Sequence, residues 1–593
     1  MGYQTFGNRQ ESPDLNGDSL AQNGLDVLPV VPASWLHNAF DRVDPGDLER
    51  LRRFKIVPIT WMPTKTTTIV VDEPGLAEAN RMGLPVVGRI DIADFRRAFR
   101  YTFSKSLINQ TTHHLRRLMP EASAACRITL AQAVWACFCA LFLLALYPVM
   151  GGTQMLLMLG CLSGLFFSLV IGLRILCLLP HEAPPRSREI HRNDMILPVY
   201  TVLVPLFRET HVLKQLINAL SALNYPTHLL DIKLVLEQTD TTMLHAVAAL
   251  ALPKHYDIIV VPAGFPQTKP RALNYAMKFA RGSLVTIFDS EDIPEPTQLL
   301  KAVQRFSEVD DGVACLQARL RFFNRAENWL ARQFSAEYAT LFEVILPSLA
   351  AQGLPLLLGG TSNHFRVEYL KQVGGWDPFN VTEDADLGLR FSRMGYRTEA
   401  LDSTTYEEAN TDLRNWLKQR RRWLKGFLQT WLVHNRHPVE TARALGLGGF
   451  LTMQCMTLGV FASALLHPLL FASGVWSLLQ IRTAHSQEST LSTILAGLDL
   501  FLLLAGYITA AIAMKFAMKR VRLSTWSRLA MTLPIYWCLL SIAAWQSVYD
   551  FIVAPFHWHK TEHGLTILDR SRKPGRCSKP EQPHRSIYSQ GPG

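Results

Sequence analysis

Residues 200–292 read YTVLVPLFRETHVLKQLINALSALNYPTHLLDIKLVLEQTDTTMLHAVAALALPKHYDIIVVPAGFPQTKPRALNYAMKFARGSLVTIFDSED. Four runs rich in Val, Ile and Leu (YTVLVPLF, DIKLVLEQ, YDIIVVPA, SLVTIFD) alternate with stretches of helical periodicity, such as HVLKQLINALSAL and the segment from Pro270. Strands buried on both faces read as near-continuous apolar runs, and strands alternating with helices build a doubly wound α/β sheet. In such sheets ligands bind at the carboxyl ends of the strands. The polar residues at those ends therefore carry the functional information.

The first run ends in Pro205-Leu206-Phe207-Arg208-Glu209-Thr210 and the second in Glu237-Gln238-Thr239-Asp240. The fourth runs straight into Asp289-Ser290-Glu291-Asp292, and Lys269-Pro270-Arg271-Ala272-Leu273-Asn274 lies before it. Hard carboxylate oxygens at a strand end suit Mg²⁺ or Mn²⁺, ions that accompany nucleoside diphosphates. One acidic turn after a strand is ordinary; several in order, each with nucleotide-type chemistry, are not. Downstream, residues 381–427 read VTEDADLGLRFSRMGYRTEALDSTTYEEANTDLRNWLKQRRRWLKGF. Thr382-Glu383-Asp384 opens a helical pattern whose N-terminal dipole favours an ionised carboxylate, so a general-base role is open to Asp384. Gln419-Arg420-Arg421-Arg422-Trp423 precedes an apolar segment, and guanidinium with indole suits a pyrophosphate beside a sugar ring. Taken singly, these are a helix cap and a membrane-flanking basic run.

A chain of 593 residues is longer than one domain, and a hydrophobic share of 48% suggests a soluble domain joined to a membrane unit. The net charge is +11, with basic residues beside apolar segments, so anionic lipid rather than nucleic acid is the expected partner. The nine cysteines (126, 137, 139, 161, 177, 315, 455, 538, 577) form no CxxC pair and read as reduced, structural thiols. No charged n-region leads into an apolar h-region, so no cleaved signal is expected. Residues 1–27, rich in Asn, Gln, Asp, Ser and Gly, are expected to be disordered. Residues 28–120 read as a small N-terminal α/β domain. Their order of elements resembles the N-terminal domain of type II secretion ATPases, which in some relatives binds a cyclic dinucleotide. No copy of its Arg-Leu-Gly nucleotide motif is present, so a docking or regulatory role is expected.

Ile128–Met150 and Gln154–Leu179 are long enough to span a bilayer and are separated only by Gly151-Gly152-Thr153. They read as a transmembrane hairpin over 128–179. Arg116, Arg117 and Arg127 before it, and Arg174, Arg186, Arg188 and Arg192 late in it or after it, place both flanks in the cytoplasm. Residues 445–556 supply further transmembrane or interfacial helices. Leu445–Leu479 exits and Leu491–Met514 returns, since Lys515, Lys519, Arg520, Arg522 and Arg528 follow. His467-Pro468 marks a kink or break. Asp499, an acid within a span, reads equally as the wall of a sugar channel or as a helix–helix hydrogen bond. Leu529–Val553, with Pro534, Gln546 and Asp550, reads as a crossing or an interfacial helix, and a cytoplasmic tail is favoured. Residues 557–593 hold a Lys560-Thr561 motif and then a basic, Pro-rich, disordered tail.

The series Glu209, Asp240, Lys269, Asp289-Ser290-Glu291, Thr382-Glu383-Asp384 and Gln419-x-x-Arg422-Trp423 resembles the processive family 2 glycosyltransferases, the cellulose, hyaluronan and chitin synthase group. The resemblance covers residues 195–565. Leu358-Gly359-Gly360-Thr361-Ser362-Asn363-His364-Phe365-Arg366, with Asn328-Trp329-Leu330 and Glu337-Tyr338-Ala339, is similar to a bacterial subgroup that includes mixed-linkage β-glucan synthases. The resemblance implies a GT-A domain, doubly wound and Rossmann-like, over 195–438, in the cytoplasm and set between helices of a bacterial inner membrane. It implies an inverting enzyme that polymerises a UDP-sugar, UDP-glucose first, into a β-glucan exopolysaccharide and translocates it. By that resemblance Glu209 and Asp240 border the ribose and uracil, Lys269 the diphosphate, and Asp289 also belongs to the donor-nucleotide set. Asp289 and Glu291 hold Mg²⁺ or Mn²⁺. Thr382, Glu383 and Asp384 form the catalytic centre, with Asp384 as base. Gln419, Arg422 and Trp423 frame the acceptor, while Arg420 and Arg421 face lipid headgroups. Asn363 and His364 touch substrate or are simply buried, and Lys560 and Thr561 gate the site.

The chain departs from the group at Asp-Ser-Glu, where Asp-x-Asp is usual, and at Gln238-Thr239-Asp240, where paired acids are usual. No Arg-x-x-x-Arg module follows the membrane region, so cyclic-di-GMP control by the cellulose synthase route is not implied. The implied partners are the UDP-sugar, the growing polysaccharide and the bilayer, with a periplasmic export partner left open and no nucleic acid. Three alternatives remain: transfer of one sugar to a lipid carrier, a chitin- or hyaluronan-type synthase, and a non-catalytic receptor. Retention of Asp289, Glu291 and Asp384 speaks against the last.

Overall fold

A computed structural model describes residues 28, 30, 56–62, 65–82, 84–180, 195–483, 490–523 and 525–556. The expected disorder of 1–27, and the motif and tail over 557–593 with Lys560 and Thr561, lie outside them. The chain divides into two units, Met1–His113 and His114–Gly593.

In the first unit, β1 (Ile56–Met62) pairs antiparallel with β2 (Lys65–Val70), which pairs parallel with β3 (Val86–Arg89). The parallel pair is linked by α1 (Glu73–Arg81), started by Asp72, whose carboxylate accepts from the Gly75 amide at 3.0 Å. Leu28, Val70, Leu76, Ala79 and Val86 form its core, and α2 (Ile92–Thr112) follows.

The second unit holds one eight-stranded sheet. Its strands are β4 (Tyr200–Leu206), β5 (Leu230–Glu237), β6 (Tyr256–Val261), β7 (Leu284–Ile287), β8 (Ile293–Pro294), β9 (Val313–Phe322), β10 (Asn363–Arg366) and β11 (Arg397–Glu407). Their order is β6-β5-β4-β7-β10-β9-β11-β8. The expected wound half is present: β4 to β7 are mutually parallel. The sheet as a whole is mixed, because β10 runs antiparallel to both β7 and β9, and β8 antiparallel to β11. β9 and β11 are parallel, so six strands share one direction. Both faces are covered, and Val202, Val204, Ile232 and Leu234 are fully buried, the burial that the apolar runs demand.

The membrane-type helices belong to this unit. α3 (Leu130–Leu178) opens with a reciprocal Thr129–Gln132 capping box and is broken at Gly151, where φ is 75°. The segment around the sheet then contributes α4 (Leu213–Ser221), α5 (Thr241–Ala248), α6 (Lys269–Met277), α7 (Gln298–Glu308), α8 (Trp329–Thr340), α9 (Glu383–Arg393) and α10 (Leu413–His434). After α11 (Pro438–Gln454), interrupted at Gly446, come a π-turn at Cys455–Gly459 and α12 (Val460–Thr483). α13 (Thr490–Arg520) and α14 (Leu533–Val553) complete the described chain. Four segments are long and apolar enough to cross a membrane: Leu130–Gly152, Gln154–Leu178, Pro438–Trp476 and Ala496–Arg520. α14 is not among them; it lies along α10, where Trp416 and Tyr536 meet at 5.2 Å. Asp499 makes the helix–helix hydrogen bond, accepting from Ser473 Oγ at 3.4 Å.

Arg420 and Arg421 do not face headgroups. Arg420 is 4% exposed and grips Glu337 of α8 with two bonds at 2.7 and 2.6 Å. Arg421 pairs with Asp550 of α14. The basic run is a bracket between helices, because acids far away in the sequence turn it inward.

Candidate active site

The carboxyl ends of the parallel strands converge on a cavity of about 910 Å³. Glu209 follows β4, Glu237 ends β5, Asp289 to Glu291 follow β7, Phe322 ends β9, and Glu407 and Glu408 follow from β11. The remaining wall comes from Lys269 at the start of α6, the Gly359–Thr361 loop, the start of α9, and Gln419, Arg422, Trp423 and Phe427 of α10.

Lys269 sits at the centre of the polar wall. Its ammonium donates to Asp289 Oδ1 at 2.5 Å and to the Gly360 carbonyl at 2.7 Å. Burial works against that charge, but Asp289, Glu383 and Asp384 outweigh it and hold the ammonium protonated. A Cβ on Gly360 would come within 3.3 Å of Asp384 Oδ2, so the loop's backbone passes directly over the carboxylate. Burial raises Asp384 above the usual aspartate range, opposed by its bond from the Ala385 amide and by Lys269 and Arg422. Glu383 is pushed up to about 8 by burial and by Asp384. The two acids at the start of α9 thus differ: one is neutral near pH 7 and the other is the better candidate for an ionised base.

A second acidic group surrounds Asp289. Burial, then Asp289 and Glu291, drives Asp292 far up; burial, then Asp292, Glu291 and Asp289, does the same to Glu407. Asp292 Oδ1 and Glu407 Oε1 are buried without a hydrogen-bond partner. Among the described residues no three carboxylates or imidazoles stand in place to hold a metal ion. The donor chemistry nonetheless fits a divalent cation: hard oxygens in excess, two of them unpartnered, with Lys269 bonded to Asp289 but to neither Asp292 nor Glu407.

α9 and α10 are locked together beneath these groups. Asp386, fully buried, accepts from Arg390 Nε at 2.8 Å and bonds His434 Nε2 at 3.1 Å. Asn380 carries a bond to Thr430 of α10 at 2.9 Å and accepts the Thr382 amide at 3.1 Å. Gln419 is buried and accepts from Asn410 at 3.0 Å. Trp423 packs nearly parallel to Tyr338, with centroids 6.0 Å apart, and Arg420 lies 4.7 Å from its ring centre.

Of the expected site residues, Glu209, Lys269, Asp289, Glu291, Thr382, Glu383, Asp384, Gln419, Arg422 and Trp423 line the one cavity. Asp240 does not. It caps α5 by accepting from the Met243 amide at 3.2 Å, and accepts the Arg208 amide at 2.5 Å where the chain turns with φ 56°. The acid facing the cavity at that strand end is Glu237, held by Arg271 Nη2 at 2.7 and 3.1 Å. His364 is a core residue of β10, bonded to Tyr200 at 2.7 Å and Gln298 at 3.3 Å, and burial holds it down to about 3. Asn363 donates to the Gly359 carbonyl at 2.5 Å and supports the loop. Glu237, Glu407 and Tyr338 were missed as cavity residues. The first two sit at strand ends and are findable by that rule; Tyr338 stands in the Glu337-Tyr338-Ala339 run, whose pattern assigns it no role. At the rim, Gln429 of α10 bonds the Pro555 carbonyl at 3.0 Å, and Phe556 meets Phe379 at 5.5 Å. The end of α14 therefore returns to the cavity.

Residues 198–426 match the family model described as "Glycosyltransferase like family 2". The chain is 26% identical over 253 residues to the probable glycosyltransferase YdaM of Bacillus subtilis, covering 41% of this chain and 57% of that one. It is 29% identical over 242 residues to glucomannan 4-beta-mannosyltransferase 2 of Arabidopsis thaliana, covering 39% and 44%. It is 27% identical over 290 residues to a beta-monoglucosyldiacylglycerol synthase of Synechocystis, covering 48% and 59%. The chain spans about half the length of the curated relatives it matches. The mixed sheet and its cavity thus lie in the stretch that is similar to the family 2 glycosyltransferases.

Proposed function

We propose that this chain is an inverting hexosyltransferase that takes its donor as a nucleoside diphosphate sugar and works at the cytoplasmic face of a bacterial inner membrane. The observation that carries the reading is the sharing of one cavity by Lys269, Asp289, Asp384 and Arg422. Asp384 accepts the proton of the acceptor hydroxyl as that oxygen bonds the anomeric carbon. The bond from that carbon to the diphosphate breaks on the opposite face, which inverts the centre and gives a β-linkage from an α-donor. Lys269 and Arg422 take up the charge that grows on the leaving diphosphate, in a site where such charges are strong. A divalent cation on Asp289 and Glu291, Mg²⁺ or Mn²⁺, would add Lewis-acid stabilisation there. Glu237 with Arg271 replaces Asp240 as the group beside the base.

The donor is UDP-glucose and the product a β-glucan, extended repeatedly and carried across the membrane. Gln419, Arg422 and Trp423 in the same wall as Asp384 support repeated addition, as does the relative named for a 4-beta-mannan linkage. A second reading, one sugar passed to a lipid, is favoured by the apolar wall. Leu320, Phe322, Tyr338 and Phe342 belong to a cluster that also contains Cys177 of α3 and Tyr536 of α14. The relative named for glucosyldiacylglycerol supports it too. The N-terminal unit serves docking or regulation.

The test uses purified protein in nanodiscs with Mg²⁺ or Mn²⁺ and radiolabelled UDP-glucose, UDP-GlcNAc or UDP-GlcA, with Asp384→Asn as control. High-molecular-weight product from UDP-glucose, cut by linkage-specific glucanases and absent in the variant, supports the synthase. A single sugar on lipid favours the second reading. Turnover that survives Asp384→Asn sinks the mechanism.

A further inference from the structure

Tyr338 of α8 is enclosed by aromatic rings: Phe322 at 4.4 Å, Phe334 at 4.9 Å, Phe342 at 5.4 Å and Trp423 at 6.0 Å. It is 9% exposed and lines the cavity. No hydrogen bond to its phenolic oxygen is seen among the described residues, and the side chain lines the cavity, where a ligand oxygen can supply the partner a tyrosine normally finds. After burial, the charges acting on that oxygen are Glu407, Arg420, Glu337 and Asp384. Glu407 and Asp384 line the same cavity. Burial with the carboxylates keeps the phenol protonated, so the unpaired group is a donor.

We infer that Tyr338 is a substrate-contact residue, donating a hydrogen bond to a hydroxyl of the acceptor's terminal sugar beside the indole of Trp423. The inference rests on the transfer reaction proposed above and narrows its acceptor to a molecule ending in a hexopyranose. The acceptor is favoured over the donor by position. Tyr338 packs on Trp423 and lines the same cavity as Asp384, the base that must face the attacking hydroxyl. The donor's diphosphate belongs beside Lys269. A pyranose offers both things this corner lacks: an apolar ring face for the aromatic wall and an oxygen for the phenol. A site built to hydrogen-bond a hydroxyl strongly rejects a ligand without one.

Tyr338→Phe removes one oxygen and keeps the ring packing. Binding of cellotetraose and mannotetraose to the full-length protein in detergent is measured by calorimetry with UDP present. Wild type should bind at least one tetraose, and Tyr338→Phe should weaken it about tenfold. UDP affinity and Tm should not change, and Tyr369→Phe, outside the cavity, should behave as wild type. Equal binding by Tyr338→Phe, or no binding of either tetraose by wild type, overturns the inference. Consumption of nucleotide sugar that Asp384→Asn abolishes is read separately. If it persists while tetraose binding ignores Tyr338, only the inference falls; if wild type consumes no donor, the transfer reading falls.

Discussion

Gly426 of α10 lies directly against Thr382 at the head of α9: a Cβ built on the glycine would come within 2.3 Å of both Thr382 Oγ1 and Cγ2. Nothing flexible can yield there, because Thr382 is β-branched, buried and tied through Asn380 to Thr430. Gly426→Ala must therefore push apart the helix that carries Asp384 and the helix that carries Arg422. Misplacement of about 1 Å in such a site costs on the order of 100-fold in rate. We expect kcat to fall by about that factor, with UDP affinity little changed. Trimming the neighbour as well, in a Gly426→Ala/Thr382→Ala double variant, should recover part of the loss relative to the sum of the single effects. Wild-type turnover by Gly426→Ala in a single-turnover assay would refute the close-approach argument.

What the sequence made legible was whatever depends on local pattern. The apolar runs gave β4 to β7, and the rule that ligands gather at strand carboxyl ends led to Glu209, Lys269, Asp289 and Glu291. It did not give β10, a four-residue strand whose reversed direction is set only by its neighbours β7 and β9. Nor could spacing decide between Glu237 and Asp240. That choice depends on the left-handed turn at Arg208, whose amide claims the Asp240 carboxylate from across the sheet. Arg420 and Arg421 were misread for the same reason. Their partners Glu337 and Asp550 lie 83 and 129 residues away.

The two acids at the end of β5 should separate cleanly in nucleotide binding. Glu237→Gln removes a charge that faces the cavity and leaves Arg271 without its ion partner. UDP affinity should drop about tenfold or more, since hydrogen bonds to charged groups are among the stronger ones. Asp240→Asn keeps one amide acceptor for the Arg208 turn, so affinity should change less and the main effect should be a lowered Tm. Calorimetric titration with UDP decides between them; a larger affinity loss at Asp240 would restore it as the base contact.

The clasp between α10 and α14 should be visible in stability. Arg421 and Asp550 pair with side chains 24% and 4% exposed. Asp550→Ala leaves a largely buried guanidinium without its partner, which costs about 1–3 kcal/mol once partial exposure is allowed for. The Tm in detergent should fall, and Arg421→Met in the same background should recover part of it by removing the stranded charge. An unchanged Tm for Asp550→Ala would mean that the pair holds nothing together.

The pH dependence follows from which of the two neighbouring acids holds a proton. Asp384 works as a base only when ionised, so kcat/KM must fall as pH drops through its pKa. Burial places that pKa above the ordinary aspartate range, which moves the acid limb to higher pH than an exposed aspartate would give. Lys269 and Arg422 act in the opposite sense by stabilising the carboxylate. Lys269→Met removes a positive neighbour, so its acid limb should lie at still higher pH, besides any loss of donor affinity. Glu383 is pushed up to about 8 and is mostly neutral at pH 7. Glu383→Gln replaces one neutral group by another there, and should leave the limb nearly in place. The two acids titrate as a pair, so the profiles report apparent values of the pair. Measuring kcat/KM from about pH 5 to about pH 9 for the three proteins tests the ordering. A limb that moves to lower pH in Lys269→Met would show that the ammonium does not act on the base.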